Sequence, residues 1–251
     1  MRFVIDAGHG LYTSGKRCMK KLDPNETREW TLNQRIASKV VELLKTAGQD
    51  VLRVDDKTGK TDVSLSSRTS KANTWNADAY ISIHHDSGVG GTSGGGATVF
   101  AHPSASAKAK TLRSNVYDEY IKAGGIKGNR STPLNTANYQ VLRETKMPAV
   151  LIECGFMDSS TDVPLILSAG FPEKAARGIA EGIAKTFGFE LKAAVPENKP
   201  VQPSTHWAQG CLDSLVKKGI ISSPEQWDDF NASLNTLTVG QLLALIDKAT
   251  N

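Results

Sequence analysis

Four side chains that could do chemistry lie where predicted strands end or a predicted helix begins. His9, His84 and Glu153 each follow a short apolar run. Glu29 opens a long amphipathic segment. The carboxyl edge of an open α/β sheet is where such folds bind ligands. Two imidazoles and a carboxylate can hold a catalytic zinc ion, which keeps a fourth position for water, and a further carboxylate can then act as general base.

Side-chain alternation decides between two neighbouring histidines. Successive side chains of a strand point to opposite faces, so only one of His84 and His85 can face a metal ion. His84 shares its face with Ser82 and Asp86, and we favour it as the ligand. His85 then points aside, either toward substrate or into packing.

The same alternation separates Glu153 from Cys154. If Glu153 faces the cleft, Cys154 faces the packed side, which disfavours a cysteine nucleophile. A carboxylate at the end of a buried apolar strand is costly unless it is paired or functional.

Glu26 competes with Glu29 for the role of metal ligand. We favour Glu29 because the helix that follows would hold it rigid.

These residues require a framework of strands and helices. The sequence predicts strands at 2–5, 51–54, 80–84, 97–101, 139–143 and 149–153, and helices at 29–47, 64–73, 105–121 and 175–187. This alternation predicts an α/β fold with a mostly parallel twisted sheet and helices on both faces. A glycine-rich tract at 88–96 predicts a flexible loop beside the site, and residues 124–138 predict an irregular stretch.

Length and composition indicate a soluble globular protein. The chain has 251 residues and a net charge of +4. No run approaches the roughly 20 apolar residues of a membrane span, and the N-terminus lacks the pattern of a signal peptide. We therefore expect synthesis in the cytoplasm and no membrane partner. Three scattered cysteines argue against a disulfide framework and against a cysteine-ligated metal.

Charge is unevenly spread along the chain. From Leu191 onward there are 5 Lys and 6 acidic residues, so the positive excess lies in the part that carries the candidate site. Such a surface suits a polyanionic cell wall or a nucleic acid. The glycines at 88–96 lack the Lys-Ser/Thr ending of a phosphate-binding loop. Charge alone does not choose between a cell wall and a nucleic acid, and we expect no nucleic-acid partner.

Composition divides the chain into three segments. Residues 1–191 hold the elements above and form the predicted catalytic domain. Residues 192–204 carry three prolines among polar residues, which is typical of a stiff linker. Residues 205–251 contain two short amphipathic stretches and predict a small all-α domain near the lower size limit of an independent core.

Several motifs occur together in the order found in one enzyme family. They are Asp6–Gly10, Glu29 ahead of an amphipathic helix, Leu65–Arg68 with Ala72–Asn73, Ile81–His84 and Pro148–Phe156. In this combination residues 1–190 resemble the zinc-dependent N-acetylmuramoyl-L-alanine amidases of the amidase-3 type, found in bacterial autolysins and phage endolysins. One departure is His85-Asp86, where the family often has a small residue followed by Asn.

The resemblance implies that His9, Glu29 and His84 bind zinc and that Glu153 is the catalytic glutamate. It also implies the substrate, bacterial peptidoglycan, and the bond that is cleaved. This bond is the amide between the lactyl group of N-acetylmuramic acid and the L-alanine of the stem peptide. Zinc would lower the pKa of its water to about 7, and Glu153 would pass the water proton to the departing amine.

The tail resembles a single repeat of the S-layer-homology family, through His206–Ala208, Gly219–Ile221 and Leu237-Thr238. That family binds secondary wall polymers, normally through several repeats. A wall-binding unit and a small capping domain without a ligand therefore both remain open for the tail.

We expect a phage endolysin that waits in the cytoplasm and acts on the cell wall after release. The expectation combines wall-degrading chemistry with the lack of a signal sequence. A host sporulation or autolytic amidase is the alternative enzyme. A non-catalytic wall-binding protein on an amidase scaffold is the alternative from another class, and the complete ligand set together with Glu153 argues against it.

Overall fold

A computed structural model describes residues 1–191 of the chain. The predicted linker at 192–204 and the predicted helical domain at 205–251 lie outside the described residues. Within residues 1–191, the structure has no helix with the length and apolar character needed to cross a membrane.

One six-stranded sheet organises the described residues, with the strand order β2-β1-β3-β6-β4-β5. The strands are β1 (Arg2–Ala7), β2 (Asp50–Arg53), β3 (Ala79–Asp86), β4 (Thr98–Ala101), β5 (Leu134–Thr136) and β6 (Ala149–Phe156). All neighbouring pairs are parallel except β4 with β6. The predicted mostly parallel α/β fold is confirmed.

Helices cover both faces of this sheet. They are α1 (Glu29–Thr46), α2 (Leu65–Thr74), α3 (Ala107–Lys122), α4 (Gln140–Arg143), α5 (Val163–Ile166) and α6 (Phe171–Phe187). Phe3 and Ile5 of β1 enter the core that contains α1, α3 and α6, whereas Val4 enters the core that contains α2 and α4. This split follows from the two-residue period of a strand, and it explains why consecutive residues such as Phe3, Val4 and Ile5 are all apolar.

Helix α1 forms because apolar residues recur at helical spacing. Leu32, Ile36, Val40 and Leu44 are all buried on one face. The helix ends before Gly48, which has a φ of +77°, the left-handed conformation typical of a residue just beyond a helix. Glu29 is thereby fixed as the first residue of a well-packed helix.

Two short elements differ from the sequence prediction. Residues 139–143 were expected to form a strand, but Gln140–Arg143 form the short helix α4. Val141 and Leu142 are both buried, which adjacent residues achieve more readily on a helix turn than on a strand with one solvent face. Leu134–Thr136, expected to be irregular, form β5, which lies at the edge of the sheet and pairs with β4 alone among the described strands.

Buried carboxylates hydrogen-bond to the glycine-rich tract, which forms a loop as the sequence predicts. Asp158 accepts hydrogen bonds from the backbone of Gly88 and Gly90, both at 2.8 Å. Asp162 accepts one from Gly96 at 2.7 Å. Gly96 has a φ of +105°, and a Cβ there would lie 2.2 Å from the carbonyl oxygen of Lys127. Glycine at this position therefore permits a close backbone crossing.

Helices α3 and α6 approach closely because α6 presents glycine to its neighbour. A Cβ on Gly182 would lie 2.5 Å from Val116 Cα and 2.7 Å from Val116 N. Both atoms belong to the backbone of α3, so the obstruction could not be relieved by a side-chain rotation.

We predict that Gly182→Ala lowers the free energy of unfolding, measured by urea denaturation of the full chain. Overpacking costs about 1–3 kcal/mol, which outweighs the gain of about 1 kcal/mol in helix propensity. Gly170→Ala is the control, because a Cβ there meets nothing within 4 Å, and it should change stability by no more than about 0.5 kcal/mol. Equal stabilities for the two variants would contradict the close-packing argument.

Candidate metal centre

The carboxyl ends of β1, β3 and β6 bring the predicted site residues together. His84 and Glu153 are direct partners in the pairing of β3 with β6. His9 follows β1, and Glu29 opens α1. Gly8 is required at this junction, because a Cβ there would lie 2.0 Å from His84 Cε1.

His9, Glu29 and His84 form one cluster. Their potential ligand atoms all lie within 4.8 Å of one another. His9 Nε2 is 3.4 Å from Glu29 Oε2, and His84 Nδ1 is 3.0 Å from Glu29 Oε1. Glu29 Oε2 is buried without a hydrogen-bond partner in the described part of the chain. A cation between these groups would satisfy that oxygen, so the three side chains fit a metal ion.

Electrostatics favour the metal-binding forms of His9 and Glu29, whereas for His84 burial is outweighed by the hydrogen bond to Glu29, which raises its pKa. Burial lowers the pKa of His9 to about 4, which keeps this imidazole neutral near pH 7. Burial opposes ionisation of Glu29, but the hydrogen bond and the charge of His84, with help from His9 and Lys16, lower its pKa to about 2. A neutral imidazole and an ionised carboxylate are the forms in which these groups bind metals.

Glu153 has a different environment from Glu29. Its Oε2 is buried without a hydrogen-bond partner among the described residues. Burial raises its pKa to about 8, against the opposing effect of His84. Glu153 lines a cavity of about 560 Å³ together with His9, His84 and Lys16. It can therefore exchange protons near neutral pH, next to the three-residue cluster.

Three neighbouring residues that could have taken the roles of Glu29, His84 and Glu153 lie outside the cluster. Glu26 forms an ion pair with Arg17 at 3.1 Å. His85 is buried, and its Nδ1 lies 2.8 Å from Asn33 Oδ1, so it is packed against α1 and does not line the cavity. Cys154 is fully buried within the core, and burial raises the pKa of its thiol well above the usual range.

A buried polar network behind the cluster escaped the sequence analysis. Arg68, only 1% exposed, donates to Asp6 Oδ1 at 2.5 Å and to the carbonyl oxygens of Ala7 and His9 at 2.9 and 3.0 Å. His9 has a φ of +64°, a conformation that non-glycine residues rarely adopt, and the guanidinium helps to hold it. Arg68 belongs to one of the motifs quoted above, but its long-range partners leave no local pattern.

We predict that Arg68→Met lowers the free energy of unfolding of the full chain by about 3–5 kcal/mol, because removal of one partner leaves the buried charge of Asp6 uncompensated. Urea denaturation measures the effect. Arg143→Met is the matched control, since the Arg143–Glu144 pair is largely solvent-exposed and such pairs contribute about 0–1 kcal/mol. Similar losses in both variants would show that Arg68 has no special structural role.

An open α/β sheet with this cluster and a further carboxylate at its carboxyl edge is an arrangement suited to metal-assisted hydrolysis. The comparison of sequences then identifies the family. Residues 3–185 match the Amidase_3 family, described as N-acetylmuramoyl-L-alanine amidase, and the chain belongs to that family. The amidase activity expected from the sequence is confirmed.

Curated relatives and solved structures agree with this assignment. The chain is 34% identical over 194 residues to the N-acetylmuramoyl-L-alanine amidase CwlM of Bacillus licheniformis, covering 77% of this chain and 72% of that protein. It is also 34% identical over 190 residues to a sporulation-specific N-acetylmuramoyl-L-alanine amidase of Bacillus subtilis, covering 76% and 69%. The catalytic domain of the amidase CwlV from Bacillus (Paenibacillus) polymyxa var. colistinus has a TM-score of 0.66 at 27% identity, covering 75% of this chain and 99% of that domain.

Proposed function

We propose that this amidase is zinc-dependent and cleaves the bond between the lactyl group of N-acetylmuramic acid and the L-alanine of peptidoglycan. In this proposal His9, Glu29 and His84 hold the ion, and Glu153 is the general base. The observation that carries it is the cluster of ligand atoms within 4.8 Å, with an unsatisfied oxygen of Glu29 inside it and one of Glu153 beside it.

The donor set favours zinc among the common metals. Two imidazoles and one carboxylate are ligands of catalytic zinc sites, whereas magnesium and calcium prefer sets made of oxygen atoms only. When bound, zinc would lower the pKa of water and polarise the scissile carbonyl. Two of the ligands are favoured in their binding form near pH 7, since the pKa of Glu29 is lowered to about 2 and that of His9 to about 4. For His84, burial is outweighed by the hydrogen bond to Glu29, which raises its pKa, so a metal ion would have to displace a proton from this ring.

In this proposal Glu153 moves the proton. It takes a proton from the attacking water and passes it to the nitrogen of the departing L-alanine. A general base works best when its pKa lies near the working pH, and burial brings the pKa of Glu153 to about 8. A positive charge bound among the neighbouring ligands would lower this value and increase the share of ionised carboxylate at pH 7.

Product analysis tests the reaction. Purified peptidoglycan treated with the full chain should gain free L-alanine amino groups and no new reducing sugar ends. New reducing ends would indicate a glycosidase, and release of other amino termini would indicate an endopeptidase. Either result would exclude the proposed bond.

We predict that Glu153→Gln retains zinc but loses about 10²–10⁴ in kcat, the usual contribution of a general base. The substitution keeps the shape of the side chain and removes its basicity. Zinc content is measured by elemental analysis, and turnover by release of L-alanine amino groups. A variant that lyses walls at the parental rate would refute the proposed role of Glu153.

We predict that His84→Ala loses bound zinc, whereas His102→Ala keeps it. His102 lies outside the cavity, beside Asn138, and is the matched control for loss of an imidazole. Metal content after dialysis against zinc-free buffer measures the difference. Equal retention by both variants would contradict the assignment of His84 as a ligand.

The biological setting has two candidates. The role as a phage endolysin stays a prediction. The host alternative is favoured by the 34% identity to a sporulation-specific amidase. Transcript measurements in the source cells would separate them: induction during spore formation supports the host enzyme, and expression confined to phage growth supports the endolysin.

We also propose that residues 205–251 bind wall polymers. The proposal rests on the resemblance of this segment to an S-layer-homology repeat. A chain that ends at residue 192 should still hydrolyse a soluble muramyl peptide but should sediment less with intact walls, because tethering raises the effective concentration without changing the active site. Unchanged sedimentation would remove the targeting role.

A further inference from the structure

A line of hydrogen bonds leads from His84 to the buried interior. Ser82 Oγ lies 3.2 Å from His84 Nε2 and 2.8 Å from Asp6 Oδ2. Asp6 also accepts from the hydroxyl of Tyr80 at 2.8 Å and from Arg68 at 2.5 Å. Asp6, Arg68, Tyr80 and Ser82 are all buried, with at most 1% of each exposed. The geometry of this line is therefore set by the core rather than by solvent.

The chemistry of these groups fixes the direction of each hydrogen bond. The ionised carboxylate of Asp6, paired with the Arg68 guanidinium, can only accept. The single hydroxyl proton of Ser82 must then point at Asp6. The oxygen of Ser82 consequently offers a lone pair to His84, and the proton between Ser82 and His84 has to be carried by Nε2.

The other ring nitrogen of His84 faces the cluster. Nδ1 lies 3.0 Å from Glu29 Oε1, and the two imidazole rings of His9 and His84 are 4.9 Å apart and nearly perpendicular. An imidazole with its proton on Nε2 presents its lone pair at Nδ1. The ionised carboxylate of Glu29 can only accept, so Nδ1 carries a proton in its hydrogen bond with Glu29. A metal ion that replaces this proton would meet the lone pair of Nδ1 at the place where Glu29 and His9 converge.

We infer that Ser82, itself held by Asp6 and Arg68, is a positioning residue that selects the Nε2-protonated tautomer of His84 and so makes Nδ1 the metal ligand. The inference rests on the proposed function, since it assumes that His84 binds the ion. In a metal-bound histidine, one ring nitrogen binds the metal and the other carries the N–H. Groups that accept this N–H fix the orientation of the ring, and their loss typically weakens metal binding by about 10–100-fold. Here a serine hydroxyl takes that place and connects the histidine to a buried carboxylate.

Nitrogen NMR of the zinc-loaded full chain tests the tautomer directly. In protein labelled with ¹⁵N at its five histidines, His84 should show a proton on Nε2 and a metal-shifted Nδ1. Variants at the other histidines assign the signals by difference. Metal bound through Nε2 would overturn the inference and leave the proposed function intact. No zinc-dependent change at His84 would instead count against the proposed function itself.

Zinc affinity measured by competition with a chelator tests the role of the serine. Ser82→Ala should weaken zinc binding by about 10–100-fold, while Ser82→Thr, which keeps the hydroxyl, should retain most of the affinity. Ser159→Ala is the matched control, because Ser159 is also fully buried and, among the described residues, its hydroxyl bonds to Thr161 and Asp162 of its own loop. Its zinc affinity should equal that of the parent.

Either the zinc affinity or the NMR result can refute the role of Ser82. Parental zinc affinity in Ser82→Ala would overturn it. If the extra methyl group of Ser82→Thr prevents folding at this buried position, as overpacking can, the NMR result on the unaltered chain still decides. Circular dichroism and urea denaturation of every variant separate loss of metal binding from loss of structure.

Discussion

The buried ion pair between Asp6 and Arg68 is the interaction on which the site depends. Two charges withdrawn from water cost several kcal/mol each unless every polar atom is satisfied. All five N–H donors of Arg68 are used: Asp6 and Ala7 accept two, His9 and Asp62 accept two, and Val63 accepts the last. A lysine has neither this number of donors nor their planar arrangement. The pair therefore fixes the end of β1 in the conformation that carries His9.

The pairing of β1 with β3, and of β3 with β6, aligns the site residues across the sheet. β1 and β3 are in parallel register, with Asp6 opposite Ser82, and β3 places His84 opposite Glu153. A shift of one residue would turn every side chain to the opposite face, which would bring His85 and Cys154 to the cavity. The burial of alternate apolar residues on both faces opposes that shift. The same cores that stabilise the domain therefore also specify which side chains can do chemistry.

The sequence was most informative where periodicity carries the signal. The choice of His84 over His85 came from strand alternation, and the choice of Glu29 over Glu26 came from the amphipathic helix that follows; the structure places His84 and Glu29 in the cluster. The strand predicted at 139–143 was wrong, because so short a run shows no period by which helix and strand can be told apart. The antiparallel pairing of β4 with β6, and the strand β5 at its edge, depend on contacts far apart in the chain. The Asp6–Arg68 pair, 62 residues apart, was likewise beyond any local pattern.

Two carboxylates in one cleft differ in their surroundings, and that difference supports separate roles for them. Both are largely withdrawn from water, which favours the neutral acid in each case. Hydrogen bonding and charge from the histidines overcome this effect for Glu29 and bring its pKa to about 2, whereas Glu153 has too little compensation and its pKa rises to about 8. Where the pKa values of neighbouring acids are pushed apart in this way, the acid with the lower pKa remains a fixed charge and the acid with the higher pKa exchanges protons. A fixed negative charge is what holds a cation, and an exchangeable proton is what general-base catalysis requires, so the environment of each carboxylate matches the role proposed for it.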